Sequence, residues 1–117
     1  MSSYPVHITE TIAVVQLPPR IDSVTSGTLD QDLKDLQRDH STILCDFSGT
    51  TYISSMGLRV LLGTQKNMAK TGGHLLVCSL SSYVQEVFDI SGFSRIFTVY
   101  PSEEKAVSAI SGKSGAG

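Results

Sequence analysis

The chain reads as an α/β domain, a mixed and at least partly parallel sheet with helices packed on it. Two observations predict this. Short apolar runs of strand length, Ile43-Leu44-Cys45 and Leu75-Leu76-Val77-Cys78, alternate with stretches whose apolar residues recur at helical spacing. Ahead of them, one pair of strand-like segments is separated by too few residues for a crossover, so those two must run antiparallel. The 117 residues suffice for one core around one sheet and are too few for two.

Between Tyr4 and Leu17, the apolar Val6, Ile8, Ile12, Val14 and Leu17 are interrupted by Thr9-Glu10-Thr11, which predicts a hairpin. Pro18-Pro19 ends its second strand, because proline has no N–H for a ladder. Asp22 or Ser23 can cap a helix in which Leu29, Leu33 and Leu36 form the packed stripe and Asp30, Asp32, Lys34 and Asp35 the outer face. Ser41 to Asp46 follows as a strand, central because it alternates poorly and is apolar. After Gly49 comes a short polar crossing, then a helix beginning at Ser54-Ser55 with Leu58, Leu61, Leu62 and Ala69 on its apolar side and Arg59 facing outward.

Thr71-Gly72-Gly73 closes that helix, since glycine accepts the left-handed conformation of a C-terminus. His74 to Cys78 is the next strand. Ser82 with Gln85 has capping-box spacing and opens a helix whose stripe is Val84, Val87 and Phe88. Beyond Gly92, the residues Ile96, Phe97 and Val99 predict a last strand, and Ser102, Lys105 and Ala106 start a terminal helix that carries Val107 and Ile110 inward. The domain is expected to span residues 1–111, with Gly112 to Gly117 a flexible tail.

Composition narrows the function classes. A net charge of −2 leaves no clustered Lys and Arg to neutralise phosphates, so no direct nucleic-acid binding is expected and the partner should be a protein. No apolar run approaches the roughly 20 residues of a membrane span, and Met1 to Pro5 has no basic region leading into an apolar core. No membrane insertion and a cytoplasmic location are the expectations. Cys45 and Cys78 each fall within a strand and read as reduced core thiols.

His7, His40 and His74 lie in separate elements as surface or edge residues, and no metal-ligand spacing joins them to a cysteine. A nucleophile elbow would need glycine two places before Ser55, where Ile53 stands. Gly57 and Gly63 are not followed by Lys-Ser or Lys-Thr, so a phosphate loop is poorly supported. The chain therefore reads as a non-enzyme with no cofactor and no metal.

The serine pair holds the most chemistry. A helix's first turn has backbone N–H groups without intrahelical partners and the positive end of the macrodipole, so a serine there can cap or can carry a phosphate. Spacing alone leaves both readings open. The segments Asp46-Phe47-Ser48, Tyr52-Ile53-Ser54-Ser55-Met56-Gly57-Leu58-Arg59-Val60-Leu61-Leu62, Gly72-Gly73-His74-Leu75-Leu76-Val77-Cys78 and Val87-Phe88-Asp89-Ile90-Ser91-Gly92-Phe93 resemble those of STAS domains, specifically bacterial anti-sigma factor antagonists. The resemblance covers nearly the whole chain. It implies a STAS-like single domain, a mixed and mostly parallel sheet of about five strands with about four α-helices packed on it.

In that family, the serine two places before the helix glycine is phosphorylated by an anti-sigma factor of the serine/threonine kinase type, and a phosphoserine phosphatase resets it. By register that residue is Ser55, with Gly57 as the glycine, and Ser54 is the second candidate. Ser54 stands where many members have Asp, and Met56 where many have a small residue. Arg20-Ile21-Asp22 resembles the loop before the family's first helix, whose acidic residue lies near the phosphorylation site, though Pro18-Pro19 replaces a more usual glycine. The resemblance thus implies partner binding by Asp22, Ser54, Met56, Gly57 and Arg59. Two rivals stay open: a STAS adaptor of a signalling scaffold or a lipid or anion transporter, and a small nucleotide-binding or hydrolytic protein.

Overall fold

A computed structural model describes residues 3–112. Strands β1 (Val6–Thr9) and β2 (Ile12–Gln16) form the expected antiparallel hairpin, turning through Glu10 at φ +57°. The short β3 (Arg20–Ile21) leads into α1 (Ser23–Gln37), then β4 (Thr42–Asp46), the short β5 (Tyr52–Ile53) and α2 (Ser55–Ala69). After β6 (His74–Cys78) come α3 (Ser82–Ser91), α4 (Phe93–Ile96), β7 (Val99–Tyr100) and α5 (Glu103–Val107), which runs into a π-helical turn, Ser108–Gly112. The main sheet has the order β1-β2-β4-β6-β7, parallel everywhere except in the hairpin.

β4 sits at its centre, in register with both neighbours: Val14 opposes Leu44, which opposes Leu76. Because side chains alternate along a strand, the sheet sorts its apolar residues into two layers. Ala13, Val15, Ile43, Cys45, Leu75 and Val77 face Leu29 and Leu33 of α1, Leu61 and Met68 of α2, and Val84 and Phe88 of α3. Ile12, Val14, Leu44, Leu76 and Cys78 face Ala106 of α5, with Val107 and Ile110 packed beside it as the sequence indicated. Burial on both faces explains why these strands read as continuous apolar runs rather than as alternating ones.

Several local expectations are corrected. Asp32 is not on the outer face of α1: it is 2% exposed, and its carboxylate accepts hydrogen bonds from the amides of Ser3 and Tyr4, each at 2.9 Å. On α2 the buried positions are Gly57, Leu61, Thr64 and Met68, with Leu58 and Leu62 flanking and Ala69 exposed. Ser81 rather than Ser82 caps α3, its hydroxyl accepting from Val84 N–H at 3.4 Å. The residues past Gly92 form α4 first, so the last strand is only Val99–Tyr100; Phe97 is buried against Phe88 and Phe93 from outside the ladder. The proposed tail begins inside the final turn at Gly112, and its remainder lies outside the described residues.

Candidate functional site

The crossing between β4 and α2 is more ordered than its sequence suggests. Thr50 Oγ1 donates to the Pro18 carbonyl at 2.8 Å, Thr51 N–H to the Pro19 carbonyl at 2.8 Å, and Ser54 N–H to the Ile21 carbonyl at 2.8 Å. Between these bonds β3 and β5 pair in parallel, Arg20 opposite Tyr52 and Ile21 opposite Ile53. The next residue of each strand is the N-cap of a helix, Asp22 for α1 and Ser54 for α2. Two helix N-termini are thereby held side by side by main-chain hydrogen bonds, with the Thr50 hydroxyl adding one more. The acidic residue and the serine pair, more than thirty positions apart in sequence, belong to one surface.

The two caps are built differently. Asp22 Oδ1 accepts from Thr25 N–H and Val24 N–H, each at 3.0 Å, while Asp22 N–H donates to Thr25 Oγ1 at 2.8 Å, a reciprocal capping box. The amides of Thr25 and Val24 hold the carboxyl below the usual carboxylate range, with a smaller contribution from Arg20. Ser54 Oγ accepts from Gly57 N–H at 3.2 Å. Of the four first-turn amides of α2 that lack intrahelical partners, those of Ser54 and Gly57 are thus engaged, and those of Ser55 and Met56 have no partner among the described residues.

Ser55 is the first residue inside the helix and is exposed; among the described residues its hydroxyl makes no hydrogen bond. Met56 beside it is 44% exposed, and Arg59, one turn further, is exposed. Gly57 differs from these. It is buried, and a Cβ there would come within 2.6 Å of Ile21 Cγ2 and 2.9 Å of Ile53 Cγ1. Its contribution is to let α2 descend onto the two short strands, which fixes where Ser54, Ser55 and Met56 stand.

Four residues that the sequence reading did not assign to the site complete the surface. The Arg20 guanidinium lies 4.3 Å from the centroid of the Tyr52 ring, and Tyr52 stacks on Tyr83 of α3 with centroids 6.2 Å apart. Tyr52 precedes Ser54 by two on an extended segment, so the two share a face; that was the available signal for Tyr52, whereas nothing local pointed to Tyr83. Val24, in the first turn of α1, is 76% exposed.

Elsewhere, a hollow of about 460 Å³ lies between Tyr4, Pro5, Pro18, Pro19, Ser48 and Gly49, and an open groove of about 700 Å³ lies among Lys34, Arg38, His40, Asn67 and Lys70. Neither is lined by Ser54 or Ser55. Cys45 and Cys78 are free, buried thiols; burial pushes both up, Cys78 to about 11. Among the described residues no group of His, Cys, Asp and Glu could hold a metal ion, and no helix is long and apolar enough to cross a membrane.

Comparison with known proteins agrees with this architecture. The anti-sigma F factor antagonist of Paenibacillus polymyxa is 27% identical over 103 residues, covering 85% of this chain and 86% of that protein. BtrV of Bordetella bronchiseptica, provisionally named an anti-sigma factor antagonist, is 37% identical over 90 residues, 76% of this chain and 78% of that protein. Among solved structures, the anti-sigma factor antagonist SpoIIAA in its unphosphorylated form superposes with a TM-score of 0.81 at 19% identity, over 94% of this chain and 97% of the other. That likeness establishes the shared fold. The family model described as the STAS domain matches residues 3–106, and the chain belongs to that family.

Proposed function

We propose that this protein is an anti-sigma factor antagonist, acting in the cytoplasm as a binding protein rather than an enzyme, and switched by phosphorylation of Ser55. One observation carries the reading: the pairing of β3 with β5 sets the Asp22 and Ser54 caps side by side and leaves the Ser55 hydroxyl exposed and unbonded among the described residues. Ser54 is the weaker phosphoacceptor because its hydroxyl oxygen is already engaged with Gly57 N–H. Unmodified, the first turn of α2 with Met56 and Arg59, together with Asp22 at the neighbouring cap, docks on an anti-sigma factor that is also a serine/threonine kinase, and the sigma factor is released.

Phosphorylation adds about −1.5 to −2 charges to this surface. In the free protein the helix N-terminus tolerates them. Inside a close interface they must be stripped of water beside the Asp22 carboxylate, which opposes binding. A tenfold loss of affinity needs about 1.4 kcal/mol, and inverting a 99:1 complex to 1:99 needs about 5.5 kcal/mol. A phosphoserine phosphatase returns the protein to its binding form.

Titration calorimetry with the cognate anti-sigma factor tests the reading. Ser55→Ala should bind as tightly as wild type and stay bound when ATP is added, whereas Ser55→Asp should bind at least about tenfold more weakly while melting within about 2 °C of wild type. Equal affinity for wild type and Ser55→Asp, with a phosphosite map placing the modification elsewhere, would overturn it.

A further inference from the structure

Arg59 stands four residues after Ser55 on α2, and both are exposed. Residues at this spacing lie on one helix face about one turn apart, and a helical side chain leans back toward the N-terminus, over the turn that precedes it. The guanidinium of Arg59 therefore belongs to the same patch of surface as the Ser55 hydroxyl. Among the described residues Arg59 has no ion-pair partner, whereas Lys34 pairs with Asp30 and Arg38 with Asp35. Arg20, the other arginine near this surface, is already laid over the Tyr52 ring.

We propose that Arg59 receives the phosphate carried by Ser55, so that phosphorylation turns a cation available to the partner into one spent within the helix. The proposal rests on the Ser55 reading above and adds a second way in which the modification acts. A phosphate four residues N-terminal to an arginine has the favourable order for an ion pair along a helix, and the planar guanidinium fork matches two phosphate oxygens. Modification then does two things at once: it places a dianion where the partner must approach, and it withdraws Arg59 from that approach. A modified serine without this arginine would do only the first.

The experiment uses the full chain with phosphoserine installed at position 55 during synthesis, so that its outcome does not depend on whether a kinase modifies that residue in cells. Phosphorus NMR follows the second ionisation of the phosphate, ordinarily near pH 6. Asp22, Arg20, Tyr52 and Tyr83 lie on α1, β3, β5 and α3 around the site, and all four are the same in wild type and Arg59→Gln. A cation paired with the dianion lowers its pKa, so Arg59→Gln should raise the midpoint by about 0.5 to 1 unit, a threefold to tenfold change in the dissociation constant. Arg20→Gln should shift it by less than Arg59→Gln, and the Arg59 side-chain N–H resonances should move on phosphorylation in the wild-type chain. Glutamine is a good helix former, so folding of the variant is expected and is read from the same sample by amide spectra. Midpoints for wild type and Arg59→Gln that coincide, or a shift produced by Arg20→Gln alone, would overturn the assignment. Failure of the Ser55 reading itself would show separately, as an absence of phosphate at Ser55 in protein purified from its own cells.

Discussion

Gly57 and Gly63 lie on the same helix six residues apart, and the same substitution at each should move stability in opposite directions. At Gly63 an added Cβ meets nothing within 4 Å, and the residue is exposed in the helix interior. Alanine there should stabilise by about 1 kcal/mol, the usual difference in helix propensity. At Gly57 the same methyl would sit 2.6 Å from Ile21 Cγ2, 2.9 Å from Ile53 Cγ1 and 3.3 Å from Ile53 Cδ1. Ile21 is 0% exposed and Ile53 3%, so neither can swing into solvent to make room. Overpacking of this kind costs about 1–3 kcal/mol.

Subtracting the propensity gain of about 1 kcal/mol leaves Gly57→Ala destabilised by about 1 kcal/mol, and places the two variants about 2 kcal/mol apart. For a domain of this size that is about 4 °C down for one and about 4 °C up for the other in thermal melts. The strain at Gly57 is relieved by lifting the first turn of α2 from β3 and β5, so Gly57→Ala should also lose affinity for the anti-sigma factor while Gly63→Ala keeps it. A Gly57→Ala protein as stable as Gly63→Ala would refute the close approach of α2 to Ile21 and Ile53, and with it the account of how the site is positioned.

Two further outcomes are expected. The Asp22 carboxyl titrates below its ordinary 3.8 because the folded chain donates amides to its charged form, so its contribution is complete above that value and is lost as pH falls through the folded value; Asp22→Asn keeps a capping oxygen without the titration, and its melting temperature should fall less steeply below about pH 4 than that of wild type. Burial lifts Cys78 from 9.0 to about 11 and raises Cys45 further, which cuts the thiolate fraction of Cys78 at pH 8 from about a tenth to about a thousandth; alkylation at pH 8 should leave both thiols unmodified in the native protein and label both in denaturant.

The elements legible in the sequence are those long enough to display a period. The hairpin, β4, α2 and β6 are bounded in the sequence to within a residue or two, because Asp, Gly or Pro-Pro stands at one end of each. What stayed hidden was held together by partners distant in sequence. Neither Arg20–Ile21 nor Tyr52–Ile53 is long enough to show alternation, and each is a strand only because the other lies beside it. Asp32 looked like one more surface charge on an acidic helix; the amides of Ser3 and Tyr4 that allow its burial leave no local mark.

The site shows the same division. Asp22, Ser54, Ser55, Met56 and Arg59 were legible as positions around two helix starts, and Gly57 as the glycine that sets their register. Its burial, and the Arg20–Tyr52–Tyr83 stack, depend on which elements touch. Ser82 shows the opposite error: a plausible local capping pattern lost by one residue to Ser81, whose hydroxyl accepts from Val84 N–H.

The bonds that join the two caps run between main-chain atoms, from Ser54 to Ile21 and from Thr51 to Pro19. Such bonds are indifferent to the side chains the residues carry. Val24 and Met56, both exposed, take no part in the bonds of this frame. A cell with several such proteins could therefore insulate parallel regulatory circuits by changing a few surface residues on a common scaffold, each recognising its own partner while Ser55 keeps its place.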